Sequence, residues 1–207
     1  MRLWERQGRP VPPPPKFKRQ ALRCYARKFG LKIFVETGTL HGDTVAAMRS
    51  GIDRLFTIEL DPVLFAAAQA LFLGDSKIRV IFGNSATELD HLLPQLTQPA
   101  LFWLDGHYSG SGTARGTIDT PILKELETIL RRTEQDHVIL VDDARCFGSD
   151  PAHPSIEEVR RLVISRRPAY HFAVARRQHS NHTATLNRST RAPAPASGGQ
   201  KGGRHAD

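Results

Sequence analysis

The sequence predicts an open, doubly wound α/β domain, in which helices cover both faces of a mostly parallel β-sheet. Two observations predict this class. First, five runs of strand length are apolar almost throughout, as is typical of parallel strands buried on both faces; they cover residues 33–36, 54–59, 78–82, 100–104 and 137–141. Second, helix-like stretches separate these runs, at residues 42–50, 62–73, 85–96 and 119–133. Strands that alternate with helices in this way build βα units and a parallel sheet.

The N-terminal part supports the same scheme. Residues 1–15 are basic and rich in proline, and we expect them to form an extended arm. Residues 16–29 are predicted to form a helix that ends at Gly30, because glycine readily adopts the backbone conformation of a helix end. Pro62 and Pro121 stand near the start of their predicted helices, where a missing N–H is tolerated.

The C-terminal part is more polar. A helix at 155–166 and a strand at 170–176 are expected to complete an α/β domain of residues 16–177. Residues 178–207 have almost no large apolar groups, which predicts a disordered basic tail. Residues 183–186 are compatible with a short last strand, so we expect a C-terminal strand pair to be incomplete.

The charge is unevenly distributed along the 207 residues. The net charge is +8. Residues 1–30 and 161–207 each hold nine Lys or Arg and one acidic residue, whereas residues 31–160 hold eleven Lys or Arg and nineteen acidic residues. The basic excess therefore lies in the two ends and the centre is acidic, which argues against a nucleic-acid-binding domain and favours a cation-bearing site.

Composition also bears on location. No apolar run reaches the roughly 18 to 20 residues that span a bilayer, so no membrane association is expected. The first residues lack the apolar stretch of a signal peptide. The two cysteines, Cys24 and Cys146, form neither a disulfide framework nor a metal-ligand pattern. Together these features predict a reduced, cytoplasmic setting.

Candidate site residues follow the first predicted strand. In open α/β sheets, ligands bind beyond the carboxyl ends of the strands. There, glycines let the backbone turn sharply and approach a ligand, and the next helix offers free N–H groups to an anion. The turn after the first strand, with Gly38 and Gly42, is therefore a candidate for ligand binding. An ordinary βα turn is the alternative explanation.

The second and third strands end in further polar residues. Glu59 lies 21 residues after Gly38, a distance at which an acid binds ribose hydroxyls in dinucleotide sites. Asp61, directly before a proline, is predicted to cap the next helix. Asn84 and Ser85 follow the third strand, and they suit either contact with an adenine edge or a helix cap.

Three carboxylates follow the fourth and fifth strands. Asp105, Asp142 and Asp143 are expected to meet at one edge of the sheet, where crowded carboxylates need a cation. Hard oxygen ligands suit Mg²⁺ or a similar divalent ion. Helix caps and an ion pair with Arg145 are the alternative.

A glycine-rich loop at 109–117 follows the fourth strand and is predicted to act as a mobile lid. A phosphate cradle is the competing interpretation, although the spacing of a phosphate-binding loop is absent. Arg115 within it suits either an anionic substrate or solvent.

These motifs resemble the class I S-adenosylmethionine-dependent methyltransferases, and most closely the divalent-cation-dependent O-methyltransferases of the catechol, caffeoyl-CoA and macrocin types. The resemblance covers about residues 31–145. The stretch Glu36-x-Gly38-Thr39-x-x-Gly42-x-Thr44 is similar to the first motif of this group, which implies that these residues form part of the cofactor site. The resemblance also implies a Rossmann-like fold, with the backbone near Gly38 contacting S-adenosylmethionine, Thr44 binding the methionine carboxylate and Glu59 the ribose. It also implies cofactor contact and a catalytic role for Asp105, and metal ligation by Asp105, Asp142 and Asp143.

The sequence departs from this family at several points: the loop before the fourth helix is long, the C-terminal strand pair is poorly supported, and two motifs differ. Asn84 stands where the family often has aspartate. Residues 105–108 read Asp-Gly-His-Tyr, so the catalytic lysine of the catechol-type Asp-His-x-Lys run has no counterpart. His107 is therefore the candidate general base, because imidazole titrates near neutral pH.

The predicted function is methyl transfer from S-adenosylmethionine to a hydroxyl of a small molecule, with a divalent metal ion. The alternatives are a nicotinamide-dependent enzyme, against which the Gly38-x-x-x-Gly42 spacing counts, a metal-dependent hydroxylase-like relative, and a non-catalytic module whose basic ends bind RNA. The oligomeric state is open and includes a homodimer.

Overall fold

Seven strands form one sheet in the order β3-β2-β1-β4-β5-β7-β6 in the computed structural model. The structure describes residues 14–105, 121–132, 134–144, 146–149, 153–177 and 180–188. The strands are β1 (Ile33–Thr37), β2 (Arg54–Glu59), β3 (Ile78–Phe82), β4 (Ala100–Leu104), β5 (Val138–Val141), β6 (Tyr170–Arg177) and β7 (Ser180–Arg188). The helices are α1 (Pro15–Lys28), α2 (Asp43–Met48), α3 (Pro62–Leu71), α4 (Ser85–Leu92), α5 (Ile122–Arg132) and α6 (Ile156–Arg166).

Strands β1 to β5 run parallel, and β7 pairs antiparallel with β5 and β6. The register aligns the strand ends that matter for function. Thr37 pairs with Ile58 of β2 and with Leu104 of β4, and Leu104 pairs with Val141 of β5. The residues that follow these strands therefore emerge at one edge of the sheet.

Helices cover both faces of the sheet, as predicted. Strands β1 to β5 are apolar over most of their length because alternate side chains enter two separate cores. One core receives Val35 of β1 and is covered by α4, α5 and α6. The other receives Phe34 of β1 and is covered by α1 and α2. These observations confirm the doubly wound α/β class.

The predicted elements recur with small shifts at their ends. Asp61 caps α3, since its carboxylate accepts hydrogen bonds from Val63 N at 2.8 Å and Leu64 N at 3.0 Å. This confirms the capping role predicted for Asp61. The helix predicted at 85–96 ends earlier than expected: α4 passes into a 3₁₀ turn at Leu93–Gln95, where Pro94 lacks the N–H that would continue an α-helix.

The prediction for the C-terminal tail is wrong over residues 180–188. They form strand β7, which lies between β5 and β6, so the terminal strand pair is present and the boundary predicted at 177 separates two paired strands. Backbone pairing on both sides stabilises this polar segment, and Leu186 is its fully buried apolar anchor. Residues 1–13 and 189–207, which include most of the predicted arm and tail, lie outside the described residues.

Within the described residues, no helix combines the length and the apolar character needed to cross a membrane.

Candidate active site

The turn after β1 is tightly bent. Gly38, Leu40 and Gly42 have positive φ angles of 81°, 50° and 72°. Gly38 N donates to Ile58 O at 3.0 Å, and Gly42 N donates to Thr39 O at 2.8 Å. The turn is thus held by one hydrogen bond to β2 and by another within itself, and it lies at the carboxyl end of β1.

We expect Gly42→Ala to destabilise the fold more than Gly30→Ala. Both glycines have a left-handed backbone, with φ of 72° and 64°. A Cβ on Gly42 would lie 2.8 Å from the Phe72 ring, whereas a Cβ on Gly30 would meet nothing within 4 Å. The shared backbone cost is about 1 kcal/mol, and the clash adds about 1–3 kcal/mol at residue 42 alone. Urea denaturation of both variants measures the difference, and equal losses would contradict it.

Glu59 links the turns that follow β1 and β2. Its side chain is at the edge of the sheet, and the residue is only 6% exposed. Oε2 accepts a hydrogen bond from Leu40 N and Oε1 accepts one from Asp61 N, both at 2.9 Å. Each carboxylate oxygen has a second lone pair, so the fixed carboxylate can still accept from a ligand hydroxyl.

Glu36 lies beneath the turn and is 2% exposed. Thr57 Oγ1 donates to Glu36 Oε2 at 3.2 Å and lies 2.6 Å from Thr39 Oγ1. Burial, with the negative charge of Asp105 as a smaller cause, raises the pKa of Glu36 well above its usual value, while hydrogen bonds from Thr57 and Thr44 oppose that rise. The structure therefore places Glu36, Thr39 and Thr44 together as internal supports of the turn.

A second buried polar cluster lies below the end of β3. Asn84 caps α4, since its Oδ1 accepts from Ala86 N at 2.9 Å, which favours the capping alternative for this residue. Ser85 Oγ donates to Glu125 Oε1 of α5 at 2.5 Å. Glu125 is fully buried, and burial raises its pKa to about 7. The hydroxyl groups of Ser85 and Thr37 oppose that rise in pKa, Ser85 more strongly than Thr37.

Sequence analysis did not identify Glu125 as a site residue, although a signal for its burial exists. Residues 122, 126 and 129 of α5 are apolar and repeat at helical spacing, and residue 125 falls on the same side of the helix. An acid on an apolar face needs an internal hydrogen-bond partner, and Ser85 provides one.

The three acids at the ends of β4 and β5 do come together, as expected for residues that follow adjacent parallel strands. Asp142 N donates to Leu104 O at 3.0 Å, and Asp105 N donates to Thr37 O at 3.2 Å. Burial raises the pKa of Asp105 well above its usual value, and the negative charges of Asp142 and Asp143 add to that rise. Asp143 itself is buried and has a positive φ of 49°.

A lysine, which sequence analysis did not single out, lies among these acids. Lys18 Nζ of α1 forms an ion pair with Asp142 Oδ2, and Nζ lies 5.9 Å from the ring centroid of Trp103. Asp105, Asp142 and Asp143 all raise the pKa of Lys18, although its burial is the largest single influence and acts in the opposite direction. The only sequence signal for this contact was the pairing of a basic N-terminal segment with an acidic centre.

Other predicted residues cannot be placed. His107, Arg115, Arg145 and the predicted lid at 109–117 lie outside the described residues. Within the part of the chain that is described, no group of three or more His, Cys, Asp or Glu side chains has an arrangement that could hold a metal ion. The predicted divalent ion therefore gains no support from this geometry.

Comparison with known proteins places the fold. No family model and no curated protein sequence matches the chain. The structure is similar to an O-methyltransferase from Bacillus cereus in complex with S-adenosylhomocysteine, at a TM-score of 0.65 and 14% identity over 91% of this chain and 88% of that one. It is also similar to the O-methyltransferase TomG from Streptomyces achromogenes, involved in tomaymycin synthesis and solved with S-adenosylmethionine, at a TM-score of 0.59 and 19% identity over 83% of this chain and 80% of that one.

Spermidine synthase from Thermotoga maritima is a third similar structure, at a TM-score of 0.53 and 11% identity over 76% of this chain and 54% of that one. At sequence identities this low, the structural similarity establishes the fold alone. The chemistry has to be inferred from the residues of the site. The chain has the Rossmann-like fold of the class I S-adenosylmethionine-dependent methyltransferases, with O-methyltransferases among the proteins it resembles.

Proposed function

We propose that this protein is a methyltransferase that transfers the methyl group of S-adenosylmethionine to a hydroxyl of a small molecule. The observation that carries the proposal is the position of Glu59: a buried, fixed carboxylate beside the bent turn after β1. In the strand order, β1 and β4 are neighbours from which the chain winds in opposite directions. Ligands of open α/β sheets bind at such a switch point, beyond the carboxyl ends of the strands.

The proposed roles follow from the positions around that edge. Glu59 accepts the ribose hydroxyls, and the backbone of Gly38 and Gly42 contacts the rest of the nucleoside and its amino-acid part. Ser85, at the start of α4, lies on the adenine side. Glu36, Thr39 and Thr44, predicted as cofactor ligands, act in this proposal by fixing the turn, with Thr44 also retained as the candidate for the methionine carboxylate.

In methyl transfer the main task of the protein is to align the methyl donor with the acceptor hydroxyl, and no covalent bond to the protein is required. When bound, S-adenosylmethionine supplies an electrophilic methyl group on a sulfonium centre. The rigid turn and Glu59 would hold that group in place, and the acids around Asp105 would orient the acceptor hydroxyl towards it. The hydroxyl proton must leave as the new bond forms. His107, two residues beyond Asp105, is the proposed proton acceptor.

A divalent ion on Asp105, Asp142 and Asp143, as predicted from the sequence, does not fit the donor set as it stands. Asp142 Oδ2 is already paired with the Lys18 ammonium. A metal ion would have to displace that ammonium before it could use the same oxygen. No step of the proposed reaction therefore passes through a metal ion.

Titration calorimetry with S-adenosylmethionine tests the proposed function. We expect saturable binding with one site per chain, and competition by S-adenosylhomocysteine, because the two share the adenosine and homocysteine parts that the site would contact. Thermal melts with NAD⁺ provide the comparison. Protection by NAD⁺ without binding of S-adenosylmethionine would overturn the proposal in favour of a nicotinamide enzyme.

A further inference from the structure

The edge of the sheet that holds Asp105, Asp142 and Asp143, here called the acidic edge, already contains a positive charge, the ammonium group of Lys18. The Asp142 side chain is 1% exposed, and it pairs with Lys18 Nζ, whose side chain is 26% exposed. A carboxylate removed from water this completely is costly unless a charged partner accompanies it. Lys18 therefore supplies the positive charge beside Asp142 that was expected, from the sequence, to come from a divalent ion.

The ammonium acts on all three acids rather than on one. Asp105, Asp142 and Asp143 each stabilise its charged form. In return, the charge of Lys18 opposes the rise in the pKa of Asp105. Trp103 of β4 borders the ammonium on another side, at 5.9 Å from its ring centroid. One lysine is thus the shared counter-charge of the cluster.

Contacts independent of the acids hold Lys18 at this position. Leu22, one turn further along α1, is fully buried in the core beneath the sheet. Arg23 Nη2 donates to Ala47 O of α2 at 2.7 Å, and Tyr25 Oη lies 3.2 Å from Thr185 Oγ1 of β7. Because these contacts fix α1 against the rest of the fold, Lys18 is held next to the acids whether or not it pairs with them.

We propose that Lys18 takes the place of a divalent metal ion, as the permanent positive charge of the acceptor site. The site then needs no metal ion, and a metal ion can enter only where the lysine charge is removed. This inference rests on the proposed function, because only a methyltransferase has an acceptor site. Binding of a metal ion to Asp105, Asp142 and Asp143 can nevertheless be measured without a methyl acceptor.

Titration of Mn²⁺ alone tests the inference, read by calorimetry and by the electron paramagnetic resonance signal of free Mn²⁺. Wild-type protein and the control Lys16→Met should show no saturable binding up to about 1 mM, the weak end of protein sites for hard divalent ions. Lys16 lies on the same helix and is exposed. Lys18→Met removes the charge and keeps an unbranched stem, so its affinity for Mn²⁺ should rise at least about tenfold, which corresponds to 1.4 kcal/mol.

Two results would overturn the inference. One is stoichiometric Mn²⁺ binding by the wild type that Asp142→Asn abolishes. The other is a folded Lys18→Met protein with no gain in Mn²⁺ affinity. If Lys18→Met does not fold, Lys18→Arg takes its place in the Mn²⁺ titration. Because arginine keeps the positive charge, this variant must, like the wild type, show no saturable binding of Mn²⁺. Binding of S-adenosylmethionine is measured on the same wild-type sample, so a failure of the proposed function is seen separately from the metal result.

Discussion

Glu59→Gln should weaken the binding of S-adenosylmethionine about 100-fold. The carboxylate of Glu59 is the candidate acceptor for two ribose hydroxyls, and hydrogen bonds to a charged acceptor contribute about 1.5–3 kcal/mol each. The amide of glutamine is neutral, and its NH₂ group would face either Leu40 N or Asp61 N, both of which donate to Glu59. One donor then loses its acceptor, and the turn that should contact the nucleoside loosens.

Asp61→Asn is the matched control for Glu59→Gln. It lies two residues away and makes the same chemical change, but Asp61 acts as the cap of α3. Asparagine caps helices about as well as aspartate, so we expect the affinity to change by less than about threefold. Calorimetry measures both affinities, and circular dichroism confirms that both variants fold. Similar affinities for the two variants would remove Glu59 from the cofactor site.

The sheet could be predicted from the sequence because its signal is local. A parallel strand buried on both faces is apolar along its length, so β1 to β5 appear in the sequence within a residue of their ends. The cap at Asp61 was equally local, since it combines an acid with a following proline. The position of the acids at the ends of β4 and β5 then follows from topology alone.

Features that depend on tertiary contacts could not be predicted in the same way. Strand β7 has a polar sequence and gains its order from two neighbouring strands, so composition alone suggested disorder. Lys18 looks like any exposed lysine of a basic segment until α1 is packed against the sheet. The pairing of Lys18 with Asp142 spans 124 residues, and no sequence spacing encodes it.

Glu125 provides the second large effect, a dependence of stability on pH. Burial raises its pKa in the folded protein to about 7, from an ordinary value of 4.5. Below about pH 4.5 the carboxyl is protonated in both the folded and the unfolded chain, and it has no influence on stability. Between pH 4.5 and 7 the unfolded chain ionises first, so stability falls as the pH rises. Above pH 7 the full cost is present, at about 3 kcal/mol.

Glu125→Gln should abolish this loss. Glutamine retains an oxygen that accepts from Ser85 Oγ, but it does not ionise. The stability of the variant relative to the wild type should therefore rise by about 2.5 kcal/mol between pH 5 and pH 8. His137, whose pKa burial lowers to about 4, reduces stability as the pH falls below 6.5. Because His137 is present in both proteins, its contribution cancels in the difference between them.

Urea denaturation at several pH values measures that difference. Glu127→Gln is the control on the same helix, where the carboxylate pairs with Arg166 at 2.8 Å and its side chain is 35% exposed. An ion pair at the surface contributes less than about 1 kcal/mol, so the control should follow the wild-type curve closely. A constant offset between Glu125→Gln and the wild type, with no change in slope between pH 5 and 7, would mean that Glu125 is ionised in the folded protein throughout. Ser85 Oγ would then donate its hydrogen bond to a charged carboxylate over this whole pH range.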